Sequence, residues 1–343
     1  VKKNLLQFTY SELAQELQNM GEKPFRTQQI FEWLYKKSIY EISAMTNLSE
    51  KLRTTLAENY EVALPEISHV AHSANDNSYK FLLTSQDDLI EVILMNINGR
   101  TTLCVSCMVG CPLKCKFCAT GSSIGFKRKL SAAEIVGQFV VAQNFASKKN
   151  IEKITNVVFM GMGEPFLNKD AVASTITILR DDRAFGLAKS KISISTAGVN
   201  KNIAEFINTH DVNLAVSLHF PNDTLRSKYM PVNNSFNLEE LITELKKIDL
   251  SKRQHVTIEY MMMDGVNDSL VHAKELIRLI SFLKVKINLI PYNPIDGLDA
   301  HPSSEENIDT FKRFLINKGF FTSIRHSKGT DLHGGCGQFA LKK

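Results

Sequence analysis

Fifteen residues, Cys107-Met-Val-Gly-Cys-Pro-Leu-Lys-Cys-Lys-Phe-Cys-Ala-Thr-Gly121, hold four of the six cysteines in this chain. Cys104 lies just upstream and Cys336 near the far end. Within the run, Cys111, Cys115 and Cys118 offer three soft thiolates from one short loop. Such donors suit zinc, copper(I) or iron–sulfur rather than oxygen-preferring ions. A closed structural zinc site takes four ligands. Three close ligands suit a four-iron cluster that keeps one iron open. The competing arrangement is a zinc knuckle that pairs Cys104 and Cys107 with Cys115 and Cys118, only seven residues apart.

Other residues carry chemistry of their own. Gly161-Met-Gly-Glu-Pro165 joins glycines, which let a backbone approach a ligand closely, to the carboxylate of Glu164. The same residues also make an ordinary strand-to-helix turn. Glu91 lies in the apolar run Leu89-Ile-Glu-Val-Ile-Leu-Met95, where burial raises a carboxylate pKa and suits it to proton transfer. Alternation along a strand places it outward instead. Lys114, Lys116, Lys127, Arg128 and Lys129 put positive charge in and beside the cysteine loop, for phosphate or for solvent. Cys336 stands in Thr330-Asp-Leu-His-Gly-Gly-Cys-Gly-Gln338, whose glycines predict a mobile loop rather than a core strand.

Elements must place these groups. Thr9-Tyr-Ser-Glu12 reads as a capping box ahead of Leu13, Leu17 and Met20 at helical spacing, and helices are expected over 28–37 and 49–59. The polar stretch 71–78 is the expected boundary or turn. Beyond residue 80, strand-like runs at 103–109, 154–160, 191–195, 213–218, 255–261 and 286–290 alternate with helical patterns. Those helices are expected at 131–147, 169–180, 200–208, 237–247, 268–282 and 304–318. Six β-then-α units predict a parallel sheet with helices outside, in a barrel left open on one side. The fold class is therefore α/β, a partial (β/α)6 barrel of residues 76–343 behind a small helical accessory domain, 1–75. Function belongs at the C-terminal ends of the strands, so the cysteine loop is expected at the mouth.

No apolar run reaches the length of a membrane span, and the first residues carry no signal-peptide core. The cytosol is the expected compartment, where clustered cysteines serve metal or redox chemistry. A net charge of +5 allows an RNA partner without demanding one. A monomer is expected, since no separate interaction segment stands out.

The CxxxCxxC motif after the first strand of such an array resembles radical S-adenosylmethionine (SAM) enzymes. Within them the chain resembles the RlmN family of adenine-C2 RNA methyltransferases. The resemblance runs in order through VGCPLKCKFCATG (109–121), VVFMGMGEPFLN (157–168), ISTAGV (194–199), AVSLHFPND (215–223), NLIPYNP (288–294) and CGQF (336–339). The stretch GEKPFRTQQIFEWLY is similar to the family's RNA-binding accessory domain.

This resemblance implies a radical SAM barrel with a 4Fe-4S cluster on Cys111, Cys115 and Cys118, and two SAM molecules per turnover. It implies SAM contacts from Gly163, Glu164, Ser195, Ser217, Leu218, His219 and Asn293. It further implies that one SAM methylates Cys336, and that a 5'-deoxyadenosyl radical from the second takes hydrogen from that methyl group. The carbon then adds to C2 of an adenine in 23S rRNA or beside the anticodon of tRNA. Cys104 assists release, ending in a Cys104–Cys336 disulfide, and Glu91 accepts a proton near the base. Adenine C2 has no lone pair with which to attack a sulfonium, and such hard chemistry falls to cofactors. An electron donor such as flavodoxin is implied as well.

Three departures from the family pattern stand out. Cys107-Met108 replaces Ser-Gln, the turn over 121–125 is one residue longer, and His333-Gly-Gly335 replaces Asp-Ala-Ala. Two rival readings share parts of the pattern. One is the sister family that methylates C8 of the same rRNA adenine and confers antibiotic resistance. The other is a zinc-dependent RNA-binding module without catalysis.

Overall fold

Thr9 starts the first helix, Tyr10–Asn19, because its hydroxyl accepts from the Glu12 N–H while the Glu12 carboxylate accepts from the Thr9 N–H. Leu13 and Leu17 are buried against Ile30 and Phe31 of Phe25–Phe31 and against Leu52 and Leu56 of Glu50–Asn59. The second helix begins earlier than its expected start at 28, and its last turn, Glu32–Lys36, widens to i→i+5 bonding. This small core continues into Ala133, Val136, Val140 and Ile178. The helical unit therefore packs on the outer helices Ala132–Lys148 and Lys169–Arg180. The computed structural model describes residues 2–97, 99–199, 202–251 and 254–341.

Among the described residues, a ten-stranded sheet organises the rest. Strands Arg100–Cys104, Asn156–Phe159, Ile192–Thr196, Asn213–Ser217, Val256–Met262, Val285–Pro291 and Thr322–Ile324 pair in that order, all parallel. Helices Ala132–Lys148, Lys169–Arg180, Ile203–His210, Leu238–Leu245, Leu270–Ile280 and Glu305–Asn317 follow the first six strands in turn. The helix expected over 200–208 begins in residues 200 and 201, which lie outside the described residues. Burial throughout Val256–Met262 fits a parallel strand covered on both faces. No described helix is long and apolar enough to cross a membrane.

The structure departs from the expected pattern in particular places. The first strand ends at Cys104, not 109, and Met108–Gly110 pairs instead with Phe126–Lys129 in a separate hairpin. Ser106 fixes this exit: its N–H donates to Gln138 Oε1 at 2.8 Å and its hydroxyl to the Glu91 carbonyl at 2.7 Å. Residues 73–78 form the turn of a hairpin between Glu66–His72 and Tyr79–Ser85. That hairpin continues through Asp88–Ile97 into the parallel strands, so the sheet has an antiparallel flank. The helix Asp223–Tyr229 and the strand Thr322–Ile324 are too short to show a period in sequence.

Candidate active site

The cysteine loop is clamped at its base by the Met108–Gly110/Phe126–Lys129 hairpin, where Cys111 N–H donates to the Gly125 carbonyl at 2.8 Å. Inside the loop, Cys118 N–H donates to Cys115 O at 3.2 Å and Gly121 N–H to Cys118 O at 3.0 Å. These turns aim Cys111, Cys115 and Cys118 into one cavity of about 320 Å³ at the C-terminal ends of the parallel strands. Burial pushes the Cys111 thiol up to about 12 and raises Cys115 and Cys118 as well. Thiols so dry ionise only beside a compensating cation. Cys107 stays out of the cavity; its thiol donates to the Met162 carbonyl at 3.7 Å and packs beneath Gly163. The knuckle pairing of Cys104 and Cys107 with Cys115 and Cys118 is therefore not assembled. Among the described residues no three His, Cys, Asp or Glu close round a single ion, and a four-iron cluster spreads its thiolates more widely.

Cys104, at the end of its strand, and Cys336 line the same cavity. Burial pushes the Cys104 thiol up to about 12, and the nearby Cys336 adds to the shift. Cys336 reaches this place because the C-terminal loop is bonded on three sides. Ala119 N–H donates to Gly337 O at 2.7 Å and the Thr120 hydroxyl to Phe339 O at 2.9 Å, which tie the loop to the cysteine turn. Asn293 Nδ2 donates to Cys336 O at 3.0 Å, and Gln338 Nε2 to Pro294 O at 3.2 Å. Ser73 donates to Asp331 at 2.8 Å from the hairpin turn. The glycines do more than loosen this loop: a Cβ on Gly334 would stand 2.8 Å from Ile93 Cδ1 and 3.0 Å from Gly329 O. Cys336 itself is exposed.

Gly163, Glu164, Ser195, Ser217, His219 and Asn293 also line the cavity. Gly163 has a φ of 103°, and a Cβ there would stand 2.6 Å from Met108 Cβ, so only glycine fits. Glu164 is buried and accepts from Ala197 N–H at 2.9 Å and Phe166 N–H at 3.2 Å. Burial nevertheless raises its pKa to about 7. The Ser195 and Ser217 hydroxyls lie 3.3 Å apart. His219 accepts at Nδ1 from Met261 N–H at 3.2 Å, and burial beside Arg226 lowers its pKa to about 3, so the ring is neutral.

Two expected residues are not brought to the cavity wall. Leu218 is fully buried, with its N–H on Val216 O and Glu259 O, and has only backbone to offer. Glu91 is also fully buried and stands outside the lining; its Oε1 lies 2.5 Å from Lys80 Nζ and its Oε2 accepts from Leu341 N–H at 3.0 Å. The basic loop is likewise partly committed. Lys127 and Arg128 pair with Asp88, and Arg128 also with Glu134 at 2.8 Å. Lys114, Lys116 and Lys129 are exposed, with no ion pair among the described residues.

Comparison with known proteins bears on this arrangement. Residues 105–277 match the radical SAM superfamily, and residues 3–62 match the ribosomal RNA large subunit methyltransferase N-terminal domain. The chain is 42% identical to a dual-specificity RNA methyltransferase RlmN from Psychrobacter arcticus, over 98% of this chain and 87% of that one. It is 40% identical to the one from Francisella tularensis subsp. novicida, over 99% and 93%. The chain belongs to the RlmN family. A crystal structure of a radical SAM methyltransferase from Sphaerobacter thermophilus superposes with a TM-score of 0.89 at 36% identity, covering 99% of this chain and all of that one.

Radical SAM proteins use SAM and a 4Fe-4S cluster, and the RlmN-type residues here fit that pair. Three thiols from one loop leave one iron for an outside ligand, and glycine backbone beside Glu164 opens the adjoining wall. Among the cavity residues that escaped the sequence pattern are Glu259 and Arg325. Glu259 carried a readable signal, a carboxylate in the largely apolar strand Val256–Met262. Arg325 follows a strand of three residues and had none.

Proposed function

We propose that this chain methylates C2 of an adenine in 23S rRNA and in tRNA beside the anticodon, with Cys336 as the carbon carrier. The observation that carries the reading is the meeting of Cys336, Cys104 and the three loop cysteines in one cavity. When bound at Cys111, Cys115 and Cys118, a four-iron cluster supplies the electron for reductive cleavage of SAM. Gly163 and Glu164 hold the amino group of SAM, while Ser195, Ser217, His219 and Asn293 complete its bed; Leu218, off the cavity wall, takes no direct part. The Cys336 thiol, giving up its proton, would take a methyl group from one SAM and release S-adenosylhomocysteine; that methyl group would lose a hydrogen atom to the radical derived from a second SAM and bond through its carbon to C2. The adduct would then give up one electron, which the cluster oxidised in cleaving SAM would take back, and the proton of C2. The Cys104 thiolate attacks the Cys336 sulfur, the released carbon takes a proton to become the methyl group, and a Cys104–Cys336 disulfide is left for external reduction.

Glu91 holds the C-terminal segment through Leu341, a positioning task that suits its place behind the cavity. The helical unit ahead of the sheet strand Glu66–His72 assists RNA binding; the chain's relatives are RNA methyltransferases, which supports RNA as the partner, and the unit's docked position leaves it beside the barrel. A flavodoxin-like donor, a cytoplasmic monomer and two SAM per turnover complete the proposal. Nucleoside mass analysis of rRNA and tRNA treated with the reconstituted protein tests it. Expected is 2-methyladenosine; 8-methyladenosine alone overturns the regiochemistry, and unmodified RNA overturns the function.

A further inference from the structure

A charged pair on the cavity wall has no part in the chemistry above. Ser217, Glu259, Asn288 and Ser323 stand in register across four adjacent parallel strands. Glu259 Oε1 is saturated, accepting from Asn288 Nδ2 at 3.1 Å and from Arg325 Nη1 at 3.2 Å. Asn288 cannot turn away, because its Oδ1 accepts from the Ser323 hydroxyl at 2.7 Å. Glu259 Oε2 is left buried with no hydrogen-bond partner among the described residues, on a side chain only 5% exposed. A buried carboxylate oxygen without a donor is costly, and both Glu259 and Arg325 line the cavity. The missing donor therefore belongs to something that enters there.

We propose that Glu259 and Arg325 together read the edge of the target adenine, Glu259 Oε2 accepting from its exocyclic amino group and Arg325 donating to ring nitrogen N1. This rests on the reading of the chain as an adenine methyltransferase. An acceptor beside a donor is the complement of adenine's amino group and N1, and guanine presents the reverse order. C2 adjoins N1, so a base gripped this way turns C2 toward the guanidinium. Cys104 and Cys336 line the same cavity as Arg325, and each lies near enough to act on its charge. SAM carries an adenine with the same edge, and the position of Arg325 among both thiols favours the target base over SAM.

The test compares an RNA hairpin carrying the target adenosine with one carrying purine ribonucleoside there, which lacks only the amino group. With the cluster-loaded wild type, kcat/KM and equilibrium RNA affinity are expected to fall at least tenfold for the purine RNA. In Glu259→Met the two RNAs should differ by less than twofold, with SAM affinity unchanged. Equal use of both RNAs by the wild type overturns the proposal without any variant. A tenfold loss of SAM affinity in Glu259→Met, with RNA discrimination intact, assigns the oxygen to SAM and also overturns it. Failure of the wild type to methylate the adenosine RNA defeats the functional reading first, and this one with it.

Discussion

Glu164 is a carboxylate kept dry, satisfied by backbone N–H groups yet lifted from its usual 4.5 to about 7 by burial. The folded protein therefore binds this proton more tightly than the unfolded chain does. That stabilisation is complete below the ordinary carboxylate pKa and is lost as pH rises through about 7, an effect on the order of 3 kcal/mol. Without SAM, the melting temperature should fall across this window, and in Glu164→Gln that fall should vanish. SAM affinity should run the other way, rising with pH through about 7, because its ammonium pairs with the ionised form; calorimetry at several pH values checks this. Gly163→Ala forces an alanine to a φ near 103° against Met108 and should cost about 1–3 kcal/mol in denaturant titration. At this scale the spacing of Cys111, Cys115 and Cys118 was readable because one loop supplies all three. Glu91 and Glu259 look alike in sequence, a carboxylate in an apolar run, and periodicity does not say which one faces the cavity. Only the pairing of strands separates them.

The element that matters most is the C-terminal loop, which owes its place to the cysteine turn on one side and to the Lys80–Glu91 pair on the other. Breaking a buried pair by removing one partner costs about 3–5 kcal/mol. Glu91→Ala should therefore destabilise the protein and strip hydrogen-exchange protection from residues 329–341. A proton acceptor alone would leave that protection unchanged. The six parallel strands were legible because each apolar run is followed by a helical pattern. Thr322–Ile324, with three residues, and Asp223–Tyr229, with seven, fall below the length at which a period shows. The bonds that tie the C-terminal loop to the cysteine turn, to the hairpin turn and to Glu91 join residues more than two hundred positions apart, and local pattern cannot report them.

Across the whole molecule, a helical unit is docked on the outside of a barrel whose open mouth gathers five of the six cysteines. The modest net charge hides how the cations are spent. Lys127 and Arg128 serve Asp88 and Glu134 within the fold, whereas Lys114, Lys116 and Lys129 are exposed and form no ion pair among the described residues. Lys116→Ala should reduce the salt dependence of RNA binding by about one unit of log–log slope. Lys127→Ala should leave that slope unchanged and lower stability instead. The central claim is that the new carbon passes through Cys336. Mass spectrometry of the Cys336 peptide during a chase from methyl-labelled to unlabelled SAM tests it most directly. The label should appear on Cys336 first and move from there into C2 of the RNA adenine. Labelled RNA from a protein whose Cys336 never carries the label, or full activity in Cys336→Ala, would contradict it.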